Sequence, residues 1–382
     1  MNRKIRLGMV GGGKGSFIGG VHRIAANIDG QYELVCGALS SNPANALSSG
    51  LELFLAPERC YTTVEAMLTA EALLPEGERM DVVSIVTPNH LHYPVAKAAI
   101  QAGFHVVCDK PLCLAMEEAI DLQAIVSQSD KLFCLTHNYT GYPMVKEAKS
   151  RIAAGQLGKL RKVVVEYPQG WLSTRLEDTG QKQAGWRTDP AKAGAAGCMG
   201  DIGTHAENLA EYITGLKIES LCADLSSMVA GRALDDDGNV LLRFHGGAKG
   251  VLHASQISNG EENSLKIYIY GELGGLEWHQ MEPNSLILKT QDGKQVIRTG
   301  VGALSAEAKA ATRIPAGHPE GYLEAFANLY KGFALALRHH HMPDLFPSST
   351  IDYPSIEDGV RGMRFLAAVV SSSQKGAIWV QV

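Results

Sequence analysis

Residues 5–22 read IRLGMVGGGKGSFIGGVH, and the fold follows from how this stretch is parsed. Ile5–Val10 has the apolar makeup of a short buried strand. Seven glycines lie between Leu7 and His22. Beyond them Val21, Ile24, Ala25 and Ile28 fall at i, i+3, i+4 and i+7, the spacing of one buried helix face. Strand, glycine turn and helix together give a physical reason to expect a bound anion. A helix start presents free N–H groups, and glycines let the backbone approach a pyrophosphate. The turn matches neither standard glycine pattern. In G-x-G-x-x-G, Gly11 and Gly13 are followed by Ser16 where the third glycine belongs. In the P-loop pattern Gly8, Gly13 and Lys14 match, but Gly15 replaces the Ser or Thr. Gly11-x-Gly13 supplies the strand exit and Gly19-x-x-His22 the helix start, with five residues between Gly13 and Gly19 where the dinucleotide pattern has two, so the turn reads as that fingerprint with a three-residue insertion. The competing reading is a loose surface loop. Gly11, Gly13, Gly15, Ser16, Phe17, Ile18 and Gly19 are the candidate cofactor contacts, with Phe17 at the tip either covering the pyrophosphate or packing.

Outward from this unit, strand and helix patterns alternate over the first ~135 residues, the signature of a parallel sheet covered on both faces. β-rich runs occur at Glu33–Leu39, Asp81–Thr87, His105–Asp109 and Leu132–His137, and helical patterns at Val64–Leu74, Pro94–Ala102 and Ala115–Ser127. The expectation is a doubly wound Rossmann domain over residues 1–136. Past a helix at Met144–Ala154 the texture changes. Long runs with partial alternation carry the hairpin signals Gly246-Gly247 and Asp292-Gly293, and helices return at Glu320–Leu337 and Ile356–Ser371. Residues 137–382 therefore read as an α+β domain with a large, mostly antiparallel open sheet.

Composition narrows the function classes. The 382 residues are 45% hydrophobic and 20% charged, and 35 basic against 40 acidic side chains leave a net charge of −5. No basic excess advertises nucleic acid or an anionic membrane, and no apolar run approaches the ~20 residues of a membrane span. The start, MNRKIRLGMV, runs into a strand without a signal-peptide cleavage pattern. Seven scattered cysteines lack a C-x-x-C and read as reduced thiols of a cytoplasmic protein.

Cofactor choice turns on the end of the second strand, where an NAD site usually carries an acid for the ribose hydroxyls. Here ALSSNP puts Ser40 and Ser41 there, with no adjacent Arg for a 2′-phosphate. NAD and NADP both stay open.

Two downstream segments add chemistry. Thr87-Pro88-Asn89, with His92 following, ends the third strand at its carboxyl edge, where ligands bind in open α/β sheets. Asp109-Lys110-Pro111 ends the next strand at the same edge, placing a lysine to touch a substrate oxygen beside a nicotinamide. Further on, a glycine-rich approach ends at Asp201, and a helix runs to Thr214 with Ala206, Leu209, Ala210 and Ile213 as its buried face. Asp201 and His205 lie four residues apart, a titratable pair suited to proton transfer.

These motifs, in this order, resemble the Gfo/Idh/MocA family, which includes glucose-fructose oxidoreductase and inositol dehydrogenases. The resemblance rests on the glycine loop with His22, T-P-N-x-x-H at Thr87–His92, D-K-P at Asp109–Pro111, W-R at Trp186-Arg187 and G-D-I-G-x-H at Gly200–His205. It implies hydride exchange between NAD(P) and a hydroxyl or keto carbon of a sugar, inositol or related polyol, and a homodimer or homotetramer formed through the second domain's sheet. Lys110 matches the lysine of the family's E-K-P motif, Asp201 its helix-start aspartate and His205 its acid/base; these three are the expected catalytic residues. Asp109 replaces the usual glutamate. HNYTGYP (His137–Pro143) stands where many members have an Asn-Arg-Arg-type stretch, so Tyr139, Thr140 and Tyr142 point to a different substrate pocket. Tyr139, Trp186 and Arg187 join Lys110, Asp201 and His205 as candidate substrate contacts.

Blander readings stand beside these. Trp171, Trp186 and Arg187 serve core or interface packing as readily as sugar binding. His22 and His92 read as cofactor-shell or packing residues. His339-His340-His341 reads as a solvated loop at a helix end, so no metal is called for. Asp235-Asp236-Asp237-Gly238-Asn239 fails the calcium-loop pattern at Val240 and reads as a turn. Glu320 and Tyr322 are left between a substrate contact and a helix cap. Rival functions are a non-catalytic dinucleotide-dependent sensor on the same scaffold, or a dehydrogenase for an aromatic diol or imine.

Overall fold

The computed structural model describes residues 3–346 and 351–382; Met1, Asn2 and residues 347–350 lie outside it. The chain folds as two compact units, Met1–Asn138 with Phe326–Val360, and Tyr139–Ala325 with Arg361–Val382. The sequence reading has one boundary at 136/137; in the structure the chain re-enters the first unit at Phe326. Among the described residues no helix is long and apolar enough to cross a membrane.

The first unit runs β1 (Ile5–Gly11), α1 (Phe17–Ile28), β2 (Tyr32–Ala38), α2 (Pro43–Glu52), α3 (Val64–Leu73), β3 (Val82–Val86), α4 (His92–Gln101), β4 (His105–Cys108), α5 (Met116–Ser127) and β5 (Phe133–Leu135). The five strands are all parallel, in the order β2-β1-β3-β4-β5. All five residues of β3 are buried, as a strand covered on both faces requires. The order reverses between β1 and β3, so the crevice outside the carboxyl ends of those two strands is the expected ligand position.

Three local expectations change. The helix after the glycine turn begins at Phe17, inside the insertion, because Ser16 caps it: the Ser16 Oγ accepts the Gly19 N–H at 3.4 Å. Its buried face is Gly19, Val21, His22, Ala25 and Ala26, whereas Ile24 is half exposed. His22 wins the inward position because its Nδ1 lies 2.8 Å from the Tyr330 hydroxyl. Finally α2, unassigned from sequence, starts at a sound signal, the Asn42 cap accepting from the Asn45 N–H at 3.0 Å with Pro43 following.

The second unit contains α6 (Pro143–Ala153), β6 (Leu160–Pro168), α7 (Lys182–Arg187), α8 (Pro190–Ala193), α9 (Thr204–Thr214), β7 (Ile218–Ser226), β8 (Asp237–Phe244), β9 (Lys249–Ser255), β10 (Lys266–Gly271), β11 (Gly275–His279), β12 (Ser285–Thr290), β13 (Gly293–Arg298) and α10 (Ala306–Ala310). Helix α11 (Tyr322–His341) carries the chain into the first unit, α12 (Ile356–Gln374) brings it back, and β14 (Val380–Gln381) ends the sheet. Nine strands lie in the order β13-β12-β11-β10-β6-β9-β8-β7-β14. Every pairing is antiparallel except β6 with β9. The two glycine signals sit at the β8–β9 and β12–β13 hairpins. The buried face of α9 includes Ala206, Leu209, Ala210 and Ile213, all within 1% of full burial.

The histidine triplet forms the last turn of α11 rather than a loop. His339 Nδ1 lies 2.6 Å from the Phe346 carbonyl, and the rings of His340 and His341 stand edge-on to His105.

Candidate active site

The glycine turn is built by close approach. A Cβ on Gly19 would lie 2.3 Å from the Gly12 Cα, and one on Gly12, whose φ is +79°, would meet Met9, Val86 and Gly19 at 2.9 to 3.1 Å. Gly12 and Gly19 thus touch back to back, which seats the start of α1 directly on the strand exit. Gly13 donates its N–H to the Leu39 carbonyl at 3.0 Å, and the Ser16 N–H closes a turn onto the Gly13 carbonyl at 3.0 Å. Arg23 ties the Gly12 carbonyl from the next helical turn at 2.7 Å. Within the insertion the side chains go different ways. Lys14 turns to α2, its ammonium paired with Glu52 and its N–H on the Ser49 hydroxyl at 3.0 Å. Ile18 packs on the apolar cluster of Met9, Leu39, Leu55 and Val86. Gly15 has a φ of +76° with open space around it, and Phe17 is 68% exposed.

At the end of β2, Ser40 Oγ accepts from the Asn42 N–H at 3.1 Å and the Asn45 amide at 3.2 Å, while Ser41 is exposed. At the end of β3, Thr87 Oγ1 is buried without a hydrogen-bond partner, and Asn89 is buried beside it in sequence. At the end of β4, Asp109 Oδ1 accepts the Lys110 N–H at 2.9 Å and the Thr136 hydroxyl at 3.0 Å. His92, 1% exposed, lies with Nδ1 2.6 Å from the Pro111 carbonyl and Nε2 3.0 Å from the Thr87 carbonyl. Burial lowers its pKa, opposed by the Asp109 carboxylate and by both carbonyls. His22 is fully buried and hydrogen-bonded within the Ser84–Tyr330 cluster, and burial holds its pKa down to about 4. A glycine cradle that a Cβ would fill, a helix start aimed at it and an orphaned threonine hydroxyl at the strand-switch edge fit a dinucleotide.

In the second unit a single π-helical turn, Met199–Gly203, precedes α9, so the helix begins at Thr204 and not at Asp201. Asp235 holds that turn. Its carboxylate accepts the Gly197 N–H at 2.6 Å and the Met199 N–H at 2.8 Å, and its carbonyl accepts from Cys198 at 2.8 Å. Burial raises the Asp235 pKa against the pull of these N–H groups. Gly197 is required because a Cβ there would lie 2.2 Å from the Asp235 carbonyl oxygen. Asp236, 2% exposed, accepts from Met228, Val229 and Arg232. The aspartate run is therefore a pair of backbone anchors leading into β8, not a plain turn.

Asp201 Oδ2 accepts from Arg187 Nε at 3.0 Å and from the Gln256 amide at 2.9 Å. The Arg187 guanidinium also stacks over the Trp186 ring at 4.3 Å and faces Trp171 at 6.0 Å. Asp201, Arg187, Trp186 and Trp171 thus form one group. His205, 7% exposed, lies edge-on to Tyr139 at 4.8 Å and near Tyr167 at 6.4 Å. The Tyr139 hydroxyl meets that of Tyr167 and accepts from Asn263 at 3.0 Å; Asn263 Oδ1 accepts from Tyr167 at 2.6 Å and Gln169 at 2.7 Å. Tyr139 is 4% exposed, with its hydroxyl committed to this network. Glu320 is also settled by its bonds: its carboxylate accepts from the Arg313 and Ile314 N–H groups at 2.6 and 3.2 Å, a loop anchor. Tyr322 lies 6.4 Å from Tyr139.

The chain matches two family models: residues 5–137 fit an oxidoreductase family with an NAD-binding Rossmann fold, and residues 145–277 fit the GFO/IDH/MocA C-terminal domain. The chain belongs to the Gfo/Idh/MocA family. It is an NAD(P)-dependent oxidoreductase. It is 34% identical to the uncharacterized oxidoreductase YfiI of Bacillus subtilis, over the whole of this chain and 98% of that one. A crystal structure of an inositol dehydrogenase homolog from Azotobacter vinelandii, complexed with NAD+, superposes with a TM-score of 0.96 at 37% identity, covering 100% of this chain and 98% of that one. Levoglucosan dehydrogenase of Pseudarthrobacter phenanthrenivorans is 27% identical over 72% of this chain and 73% of its own.

Sequence reading missed Gly12, which makes the closest approach to the helix start; its signal was the triple glycine, parsed with Gly12 as the variable position. It also missed Asp235, Gln256, Gln169 and Asn263, single polar residues with no spacing to mark them.

Proposed function

We propose that this member of the Gfo/Idh/MocA family oxidises or reduces a hydroxyl or keto carbon of a sugar, inositol or related polyol. The observation that carries the reading is the group around Asp201, where a guanidinium that faces two indole rings converges with an amide on one carboxylate. Stacking faces interleaved with fixed polar groups suit a ring bearing several hydroxyls. An inositol dehydrogenase homolog and a levoglucosan dehydrogenase among the relatives support the same substrate class.

A bound nicotinamide supplies the hydride acceptor or donor. In this reading His205, edge-on to Tyr139, takes or returns the hydroxyl proton. Lys110 donates to the reacting oxygen, held by the Asp109 contact to its own N–H. Asp201 fixes the pocket wall through Arg187 and Gln256. The first unit is the cofactor-binding part, with Gly11, Gly13, Gly15, Ser16, Phe17 and Ile18 near the phosphates; Ser40 and Ser41 without a carboxylate leave room for NAD or NADP. The second unit is the substrate and oligomer part. Exposed Leu241, Tyr270 and Val296 on its strands support a homodimer or homotetramer through that sheet. Seven free cysteines support a reducing, cytoplasmic setting.

The test is a panel of sugars, inositols and their keto forms with NAD+, NADP+ and the reduced cofactors, read by nicotinamide absorbance. Lys110→Ala and His205→Ala should each lower kcat by about 10²- to 10⁴-fold on the active substrate. Full activity in both variants, or turnover confined to imines or aromatic diols, refutes the assignment.

A further inference from the structure

The carboxyl edge of the first unit's sheet carries two loops that matter to the reaction, Thr87–Asn89 after β3 and Asp109–Pro111 after β4. One buried side chain touches both. His92, at the start of α4, presents Nδ1 to the Pro111 carbonyl and Nε2 to the Thr87 carbonyl, at 2.6 and 3.0 Å. The Pro111 carbonyl is one residue beyond Lys110, and Asp109 and Thr136 grip the residue before it.

We infer that His92 is a positioning residue: its ring, seated against the Thr87 carbonyl, donates one hydrogen bond to the Pro111 carbonyl and fixes where Lys110 is presented. The inference rests on the reading of Lys110 as the group that meets the reacting oxygen. Lys110 has a long, flexible stem, so the placement of its ammonium depends in part on the backbone beneath it. The N-terminal flank is secured by the Asp109 carboxylate and the Thr136 hydroxyl; the C-terminal flank is secured by the His92 ring. A neutral imidazole carries one N–H; the shorter contact, Nδ1 to the Pro111 carbonyl, is the hydrogen bond, and Nε2 rests against the Thr87 carbonyl without donating. A histidine that merely filled space would need no bond to Pro111. Release of the Pro111 carbonyl frees one flank, and a displacement near 1 Å at a reacting group costs about 10²-fold in rate.

Two replacements test that bond. In His92→Asn the amide nitrogen stands near the position of Nδ1 and retains a donor for Pro111. In His92→Gln the amide reaches towards Thr87 and leaves the Pro111 carbonyl without its donor. His92→Gln should lower kcat by about 10- to 100-fold, while NADH affinity in a fluorescence titration stays within about twofold and the thermal midpoint within about 2 °C. His92→Asn should recover most of the loss. The decisive measurement is the double-mutant cycle: in a Lys110→Ala background, His92→Gln should change the residual rate by less than about twofold, because the residue it positions is gone. Equal losses in both backgrounds, equal impairment of the Asn and Gln variants, or a parallel loss of NADH affinity overturns the inference. A fully active Lys110→Ala single variant overturns the reading of Lys110 itself and the inference with it. An inactive Lys110→Ala with additive His92→Gln overturns the inference alone.

Discussion

Replacing Gly19 by alanine tests the glycine turn at its tightest point. The new Cβ would lie 2.3 Å from the Gly12 Cα and 2.9 Å from the Gly12 carbonyl oxygen, both backbone atoms. Carbon pairs rest at about 3.5–4.0 Å, so turn and helix must separate by more than about 1 Å. Overpacking of this kind costs about 1–3 kcal/mol, and the displaced groups are those that would cradle the pyrophosphate. If the bound form needs the close approach, that strain reappears as lost affinity: NADH should bind about 10- to 100-fold more weakly, about 1.4–2.7 kcal/mol. The neighbouring Gly20→Ala is the control, since nothing lies within 4 Å of a Cβ there. In the same helix it replaces glycine by a better helix former, worth up to about 1 kcal/mol, so the thermal midpoint should rise by about 2 °C with NADH affinity unchanged. Fluorescence titration with NADH, alongside melting curves, reads both quantities. Undiminished NADH affinity in Gly19→Ala, or an equal loss in Gly20→Ala, refutes the argument that contact between Gly12 and Gly19 shapes the site.

Two other perturbations bear on the same framework. The unfolded chain takes up a proton on His22 near pH 6.5, but the buried ring does so only near about 4, so stability drains away as pH falls through that window, by about 3 kcal/mol in full. His105, held near about 3 chiefly by burial, acts in the same direction. Melting points of His22→Gln should therefore fall less steeply between pH 6.5 and 4 than those of the wild type; parallel profiles contradict this. Asp235→Asn should lower the thermal midpoint, through a loss of about 1–3 kcal/mol, because an amide turns one acceptor at Gly197 or Met199 into a donor facing a donor. It should also raise KM for the substrate, since the turn it holds carries Asp201; unchanged kinetics argue against that coupling.

The first four strands of the parallel sheet were legible to within one residue because each is a short apolar run closed by glycine, proline or a polar residue. The hairpins of the large sheet were legible from paired glycine signals. The start of α1 was misplaced because glycine spacing was weighted above the Ser16 cap, and its inward face because hydrophobicity was weighted above the pull of Tyr330 and Ser84 on His22. At the candidate site, Lys110, Asp201 and His205 stood out by their place in motifs. The residues that hold them did not: Asp235 came from an aspartate run tested only as a calcium loop, and Gln256 and Asn263 are isolated polar side chains. Periodicity marked α11 as a helix but could not reveal that its far portion belongs with the first sheet.

That return has a temporal side. Tyr330, on α11, caps His22 and Ser84 with its hydroxyl and accepts the Tyr32 hydroxyl on its carbonyl at 2.8 Å. On a ribosome making about 5–20 residues per second, the nascent cofactor half waits for this tyrosine until all of residues 139–325 has been synthesised. The half begun first is closed only after most of the other half has been made, and through that interval His22 lacks the hydroxyl that meets its ring.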